Sequence, residues 1–110
     1  MIDWGRVAEL REEFGDGDFQ DIVEIFLEEV EAELASLRGS VPREGLEGSL
    51  HSLKGSALNL GFAGFAARCQ SGESLAAQGA GDRVDLDALC ASYDHCKSAF
   101  LTGRPAQAPP

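Results

Sequence analysis

The sequence predicts an all-α protein, and three observations carry that prediction. Apolar residues recur three and four positions apart along most of the 110 residues and nowhere alternate with polar ones as a half-buried strand requires. Short breaks rich in Gly, Asp, Ser or Pro, at 15–18, 39–42 and 79–82, together with Gly61, divide the periodic stretches. At 44% hydrophobic and 25% charged residues, composition and length fit one globular domain.

The first helix is expected to open at Asp3, a good N-cap with Ile2 and Val7 placed as a hydrophobic staple, and to run to Phe14. "GDGD" (15–18) then breaks it. The second runs from Asp18 to Arg38 with Phe19, Ile22, Val23, Phe26, Val30, Leu34 and Leu37 at helical spacing and glutamates on the other side. After "GSVP" (39–42) the third carries Leu46, Leu50, Leu53, Ala57 and Leu60 on one seam, and Gly61 ends it. The fourth, Ala63 to Gln78, repeats small and apolar residues at Phe65, Cys69, Gly72 and Ala76, a seam that allows close helix approach. The fifth opens at Asp85, with Val84 and Leu89 as a second staple, and ends near Thr102.

Four helices of about 15 to 20 residues joined by short loops predict an antiparallel up-down bundle, with the short first helix covering one end. Residues 1–102 are expected to form this single domain, and the proline-rich "GRPAQAPP" (103–110) a disordered tail. No apolar run approaches the roughly 20 residues of a membrane span, and Met1 leads into "IDWGRVAEL" rather than a basic-then-apolar leader. A soluble, cytoplasmic monomer is expected. The three cysteines, Cys69, Cys90 and Cys96, show neither a disulfide framework nor a C-x-x-C metal spacing.

A formal charge of −10 opposes binding to nucleic acid or anionic membrane. The charge is uneven: residues 1–50 hold fourteen acids against four arginines, whereas 51–110 hold five acids and five bases. His51 opens the neutral half, within "SLHSLKGSALNLGF" (49–62).

Successive helical residues are rotated by about 100°, which places His51 about 140° from the centre of the third helix's apolar seam. The ring therefore points outward. Within about 60° of it lie Glu47, Gly48, Lys54, Gly55 and Leu58. An exposed His with Lys three residues on arises often by chance; the two glycines at i−3 and i+4 are less easily dismissed, because each costs roughly 1 kcal/mol relative to Ala inside a helix. They clear space for something large to approach the imidazole. Lys54 is placed to meet anionic charge there, and Leu58 is either an ordinary exposed leucine or a docking contact. If the third and fourth helices form a hairpin turning near Phe62, residues whose numbers sum to about 124 lie level. His51 then faces Glu73, with Gln70 one turn away; either could orient the ring.

"HSLKGSALNLG" (51–61) resembles the histidine-phosphotransfer (HPt) motif, His-x-x-Lys-Gly-Ser followed by a helix-ending Gly, with the likeness extending from about Phe26 to Gly79. The resemblance implies a four-helix bundle whose exposed histidine relays a phosphoryl group between receiver-domain aspartates, or onward from a hybrid histidine kinase. It makes His51 the phospho-acceptor, Lys54 the phosphoryl-stabilising cation, Gly55 the clearing for the receiver, and Glu73 the position that orients the imidazole. Gly48, Leu58 and Gln70 become docking or supporting residues, and Mg²⁺ is expected on the partner receiver, with no cofactor on this chain. One departure is visible: Leu50 precedes the histidine where the family usually has a small residue.

The chain has no G-x-x-x-x-G-K-[ST] loop and no kinase-like ATP-binding set, which makes it a phosphoryl carrier rather than a stand-alone enzyme. A metal site built from Cys90, His95 and Cys96 is disfavoured, since His95 points about 100° away from Cys96 on the helix. The remaining alternative is a helical interaction module that binds a receiver or kinase domain without being phosphorylated.

Overall fold

A computed structural model describes residues 1–39 and 45–103. Among these residues there is no strand, and the order is α1 (Trp4–Gly39), α2 (Leu46–Leu60), α3 (Ala63–Ala77), a single 3₁₀ turn (Gly81–Arg83) and α4 (Leu86–Thr102). No described helix is long and apolar enough to cross a membrane. The expected tail falls outside the described residues from 104 onward, as does most of the "GSVP" break.

The break expected over 15–18 is narrower than the sequence suggests. Gly15 alone leaves helical geometry (φ 77°, ψ 162°), and Asp16, Gly17 and Asp18 already belong to the second arm of α1. One glycine suffices to redirect the chain because it reaches positive φ without a Cβ clash. Asp16 and Asp18, near the start of the new arm, also suit the positive end of its dipole.

Asp3 caps α1 as expected, its side chain accepting from the Arg6 N–H at 3.1 Å. The preceding residues strap onto the α2–α3 turn. Asp3 N–H donates to Gly61 O (2.7 Å), Gly64 N–H to Met1 O (2.8 Å) and Arg6 Nε to Asn59 O (3.1 Å). Gly61 ends α2 at φ 82°, and a Cβ there would lie 2.7 Å from Asp3 O, so both its conformation and its crowding require glycine.

Helix α1 packs on α4, α2 on α3 and α3 on α4. Along α1 and α4, Phe19 meets Phe100, Glu31 accepts from Tyr93 Oη (2.7 Å) and pairs with Lys97, and Arg38 pairs with Asp87 at 2.8 Å. Between α2 and α3, Leu50 meets Gly72. Between α3 and α4, Phe65 sets its edge against Tyr93 with ring centroids 5.4 Å apart. Phe62 and Phe100 (5.5 Å) continue this aromatic cluster, and Trp4 stacks on Phe100. The third-helix seam is buried in full, from Leu46 to Leu60.

Burial and the hydrogen-bonded Glu31 carboxylate push the Tyr93 phenol far above its usual range, so it remains a donor. Hydrogen bonds from Lys97 and Tyr93 in turn hold Glu31 below the ordinary carboxylate value. This contact ties α1 to α4 at mid-length.

Helices α2 and α3 come close at Gly72, where a Cβ would sit 3.0 Å from Leu50 Cδ1 and 3.4 Å from Val84 Cγ1. A leucine there would overpack the seam. Gly72→Leu is expected to lower unfolding free energy by about 1–3 kcal/mol despite leucine's better helix propensity. Urea denaturation followed by circular dichroism measures it; an unchanged midpoint would mean that α2 and α3 are not in close contact.

Candidate functional site

Because Leu46, Leu50, Leu53, Ala57 and Leu60 all face the core, α2 must turn its opposite side to solvent. His51 lies on that side with its side chain 69% exposed. Glu73 reaches it from α3: His51 Nδ1–H donates to Glu73 Oε2 at 2.9 Å. The other carboxylate oxygen, Oε1, pairs with Lys54 Nζ at 2.9 Å, and Lys54 Nζ also donates to Gln70 Oε1 at 2.7 Å. Gln70 Nε2 in turn donates to Ser74 Oγ at 3.2 Å.

The hub is Glu73, whose side chain is 16% exposed. Partial burial disfavours its charged form, yet its carboxyl is held below the ordinary value, first by the hydrogen bond from Lys54 and then by that from His51. An ionised carboxylate can only accept. The hydrogen between Glu73 and the ring therefore belongs to His51 Nδ1, and in a neutral ring Nε2 keeps its lone pair, aimed away from the carboxylate. The arrangement supplies an exposed imidazole nucleophile with a fixed tautomer and a partner for positive charge developing on the ring.

Gln70 does not orient the ring; its contacts are Lys54 and Ser74. Lys54 is not a free cation waiting in solvent, since its ammonium donates to Gln70 and forms an ion pair with Glu73. Gly48 and Gly55 are exposed, and a Cβ on either would meet nothing within 4 Å. Packing among the described residues gives no reason for glycine at these two places. Leu58 stands 54% exposed on the same face.

The α3–α4 connection also comes to this face. A cleft beside the ring is lined by His51 and Glu73, by Glu47 and Gly48 of α2, and by Gly81 and Asp82. The sequence reading noted Glu47 but not Asp82. The hairpin register held the signal, since the same sum that levels His51 with Glu73 levels Gly45 with Gly79, just before Asp82.

Beneath the site Cys69 is fully buried, and burial with the nearby Glu73 charge pushes its thiol up to about 12. It stays protonated and is no rival nucleophile. Cys90, His95 and Cys96 do not converge, and no group of three or more His, Cys, Asp or Glu among the described residues is placed to hold a metal ion.

A family model described as Hpt domain matches residues 21–100. The matched span takes in the second arm of α1 from Asp21, all of α2 and α3 and most of α4, including every member of the His51 cluster. Comparison with the curated proteins and with the solved structures gave no match.

Two outcomes follow from the Glu73 hub. In ¹⁵N NMR spectra of the neutral ring, the Nδ1–H form of His51 is expected to dominate, and Glu73→Ala to move the population toward Nε2–H; an unchanged ratio would remove Glu73 from the orienting role. The second concerns acid. Since Glu73 titrates lower folded than unfolded, its stabilising contribution is complete above the ordinary carboxylate value of 4.5 and is lost as pH falls through the lower folded value. The stability difference between wild type and Glu73→Gln, from urea midpoints at stepped pH, is expected to shrink below pH 4.5.

Proposed function

The chain belongs to the Hpt domain family, and from that premise we propose that it carries a phosphoryl group on His51, accepting it from a receiver-domain aspartyl phosphate and passing it to another receiver aspartate. The observation that carries this reading is the exposed ring itself, its Nδ1 fixed by an ionised carboxylate and its flanks bare at Gly48 and Gly55.

In the forward step, His51 Nε2 attacks phosphorus in line. The N–P bond forms as the acyl-phosphate O–P bond breaks, and that electron pair returns to the partner's carboxylate. No proton needs to leave, because the ring becomes an imidazolium whose Nδ1–H stays on Glu73. Reversing the step delivers the group to the next aspartate. Positioning supplies the chain's share of the rate: a ring already turned and in the correct tautomer loses little freedom on reaction.

Lys54 contributes an N–H to a phosphoryl oxygen while its ammonium keeps its hydrogen bond to Gln70 and its ion pair with Glu73. Gly48 and Gly55 admit the receiver's edge, and Leu58 gives it an apolar contact. The frame for this chemistry is an antiparallel up-down bundle spanning residues 1–102, with the arm of α1 before Gly15 acting as the additional N-terminal helix. The contacts between α1 and α4, α2 and α3, and α3 and α4 support that frame. On this reading the chain works as a cytoplasmic monomer, Mg²⁺ belongs to the receiver, and hybrid kinases or response regulators are the partners.

A phosphorylated receiver is expected to transfer an acid-labile, base-stable label to the wild type and none to His51→Gln. Binding without label would instead identify an interaction module. Lys54→Ala should retain the fold and slow transfer by about 10- to 100-fold, the scale of one lost charge-assisted hydrogen bond. Gly55→Ala separates structure from function: it should raise stability by up to about 1 kcal/mol while slowing transfer from a receiver. Faster or unchanged transfer would show that the clearing admits nothing.

A further inference from the structure

The surface around the imidazole is lopsided in charge. On one flank the cleft between the first turn of α2 and the α3–α4 connection carries Glu47 and Asp82. On the other, α1 lays Glu29 and Glu33 beside Ser52 and Ser56 of α2, and Ser52 directly follows His51. None of these four carboxylates makes an ion pair with any described residue. The cation next to the ring, Lys54, is committed to Glu73. Between the two acidic flanks runs a strip with little side chain of its own, Gly48 and Gly55, followed by the exposed Leu58.

This pattern opposes the event proposed for His51. An aspartyl phosphate is an anion, and bringing it to an imidazole flanked by carboxylates that pair with no described residue is unfavourable unless the approaching surface carries compensating cations. The bare strip requires an occupant, and the flanks define its charge. Resting on the phosphoryl-transfer reading above, we propose that the partner receiver bears a rim of Lys and Arg around its own acidic site. One such side chain seats in the cleft between Glu47 and Asp82, and others lie along Glu29 and Glu33. The four carboxylates thereby select receivers with a basic rim and turn away acidic ones.

The test uses the full chain, a panel of purified receivers with rims of differing charge, and phosphoramidate as a small phosphoryl donor that needs no docking surface. Two double variants, Glu47→Gln with Asp82→Asn and Glu29→Gln with Glu33→Gln, neutralise one flank each without touching the His51 cluster. Each is expected to lower the second-order transfer rate with basic-rimmed receivers by roughly 3- to 10-fold at low salt, with the deficit closing at high salt. Labelling by phosphoramidate should be unchanged in both. Label from phosphoramidate on His51 together with receiver rates indifferent to charge and salt would overturn this inference alone. The absence of label at His51 from every donor would overturn the phosphoryl-transfer reading with it.

Discussion

Everything at the His51 face depends on how near α3 comes to α2, and that separation is set where Gly72 meets Leu50. A Cβ on Gly72 would stand 3.0 Å from Leu50 Cδ1, a contact tight enough that Leu50 would have to give way to it. One residue farther along each helix lie His51 and Glu73. A carboxylate on a short stem reaches an imidazole at 2.9 Å only if the backbones have been brought together first. The same contact accounts for Leu50, the departure from the small residue usual before the histidine in proteins of this kind. A large side chain on α2 is matched by none on α3, and the seam keeps its volume.

Close approach has an electrostatic consequence. Glu73 loses solvent between the helices, and that alone would favour its neutral form, yet Lys54 and His51 supply enough compensation to hold it ionised. The charge then fixes the tautomer of the ring, because a carboxylate has no hydrogen to give. Cys69 responds in the opposite direction: burial, with the Glu73 charge above it, outweighs the opposing effect of Lys54 and keeps it a thiol. Of the nucleophilic groups near the site, only the imidazole is both exposed and unprotonated at its outer atom when neutral. Packing thus decides which atom can react.

Much of this was readable before any coordinates, and for physical reasons. The leucine seam of α2 has a period that only one orientation satisfies, so it fixed the outward direction of His51. The hairpin register needed only the turn at Gly61, and it levels 51 with 73 and 54 with 70, the pairs that make the contacts. The choice between Glu73 and Gln70 was beyond reach, because both lie within a turn of the ring and only side-chain reach separates them. The engagement of Lys54 by both was hidden for the same reason. At 15–18 composition misled: two glycines and two aspartates read as a loop, whereas a single positive φ at Gly15 does the turning. The acidic cleft was missed because one of its walls is a connection, whose path no periodicity describes.

The glycines divide into two groups by what surrounds them, and the division separates structure from function. At Gly61 a Cβ would press on the Asp3 backbone oxygen at 2.7 Å, so the fold excludes a side chain, and at Gly72 one would crowd Leu50 Cδ1 at 3.0 Å, so that Leu50 would have to give. At Gly48 and Gly55 a Cβ would meet open space within 4 Å, and both backbones are helical, so the fold would gain from alanine. Gly55, inside α2, forgoes about 1 kcal/mol of helix propensity and Gly48, in its first turn, less, a noticeable share of the roughly 5–15 kcal/mol that holds a domain folded. No contact among the described residues returns that free energy. Both gaps open beside the exposed imidazole that Glu73 holds by its Nδ1, which is where a partner of the kind proposed would need the room.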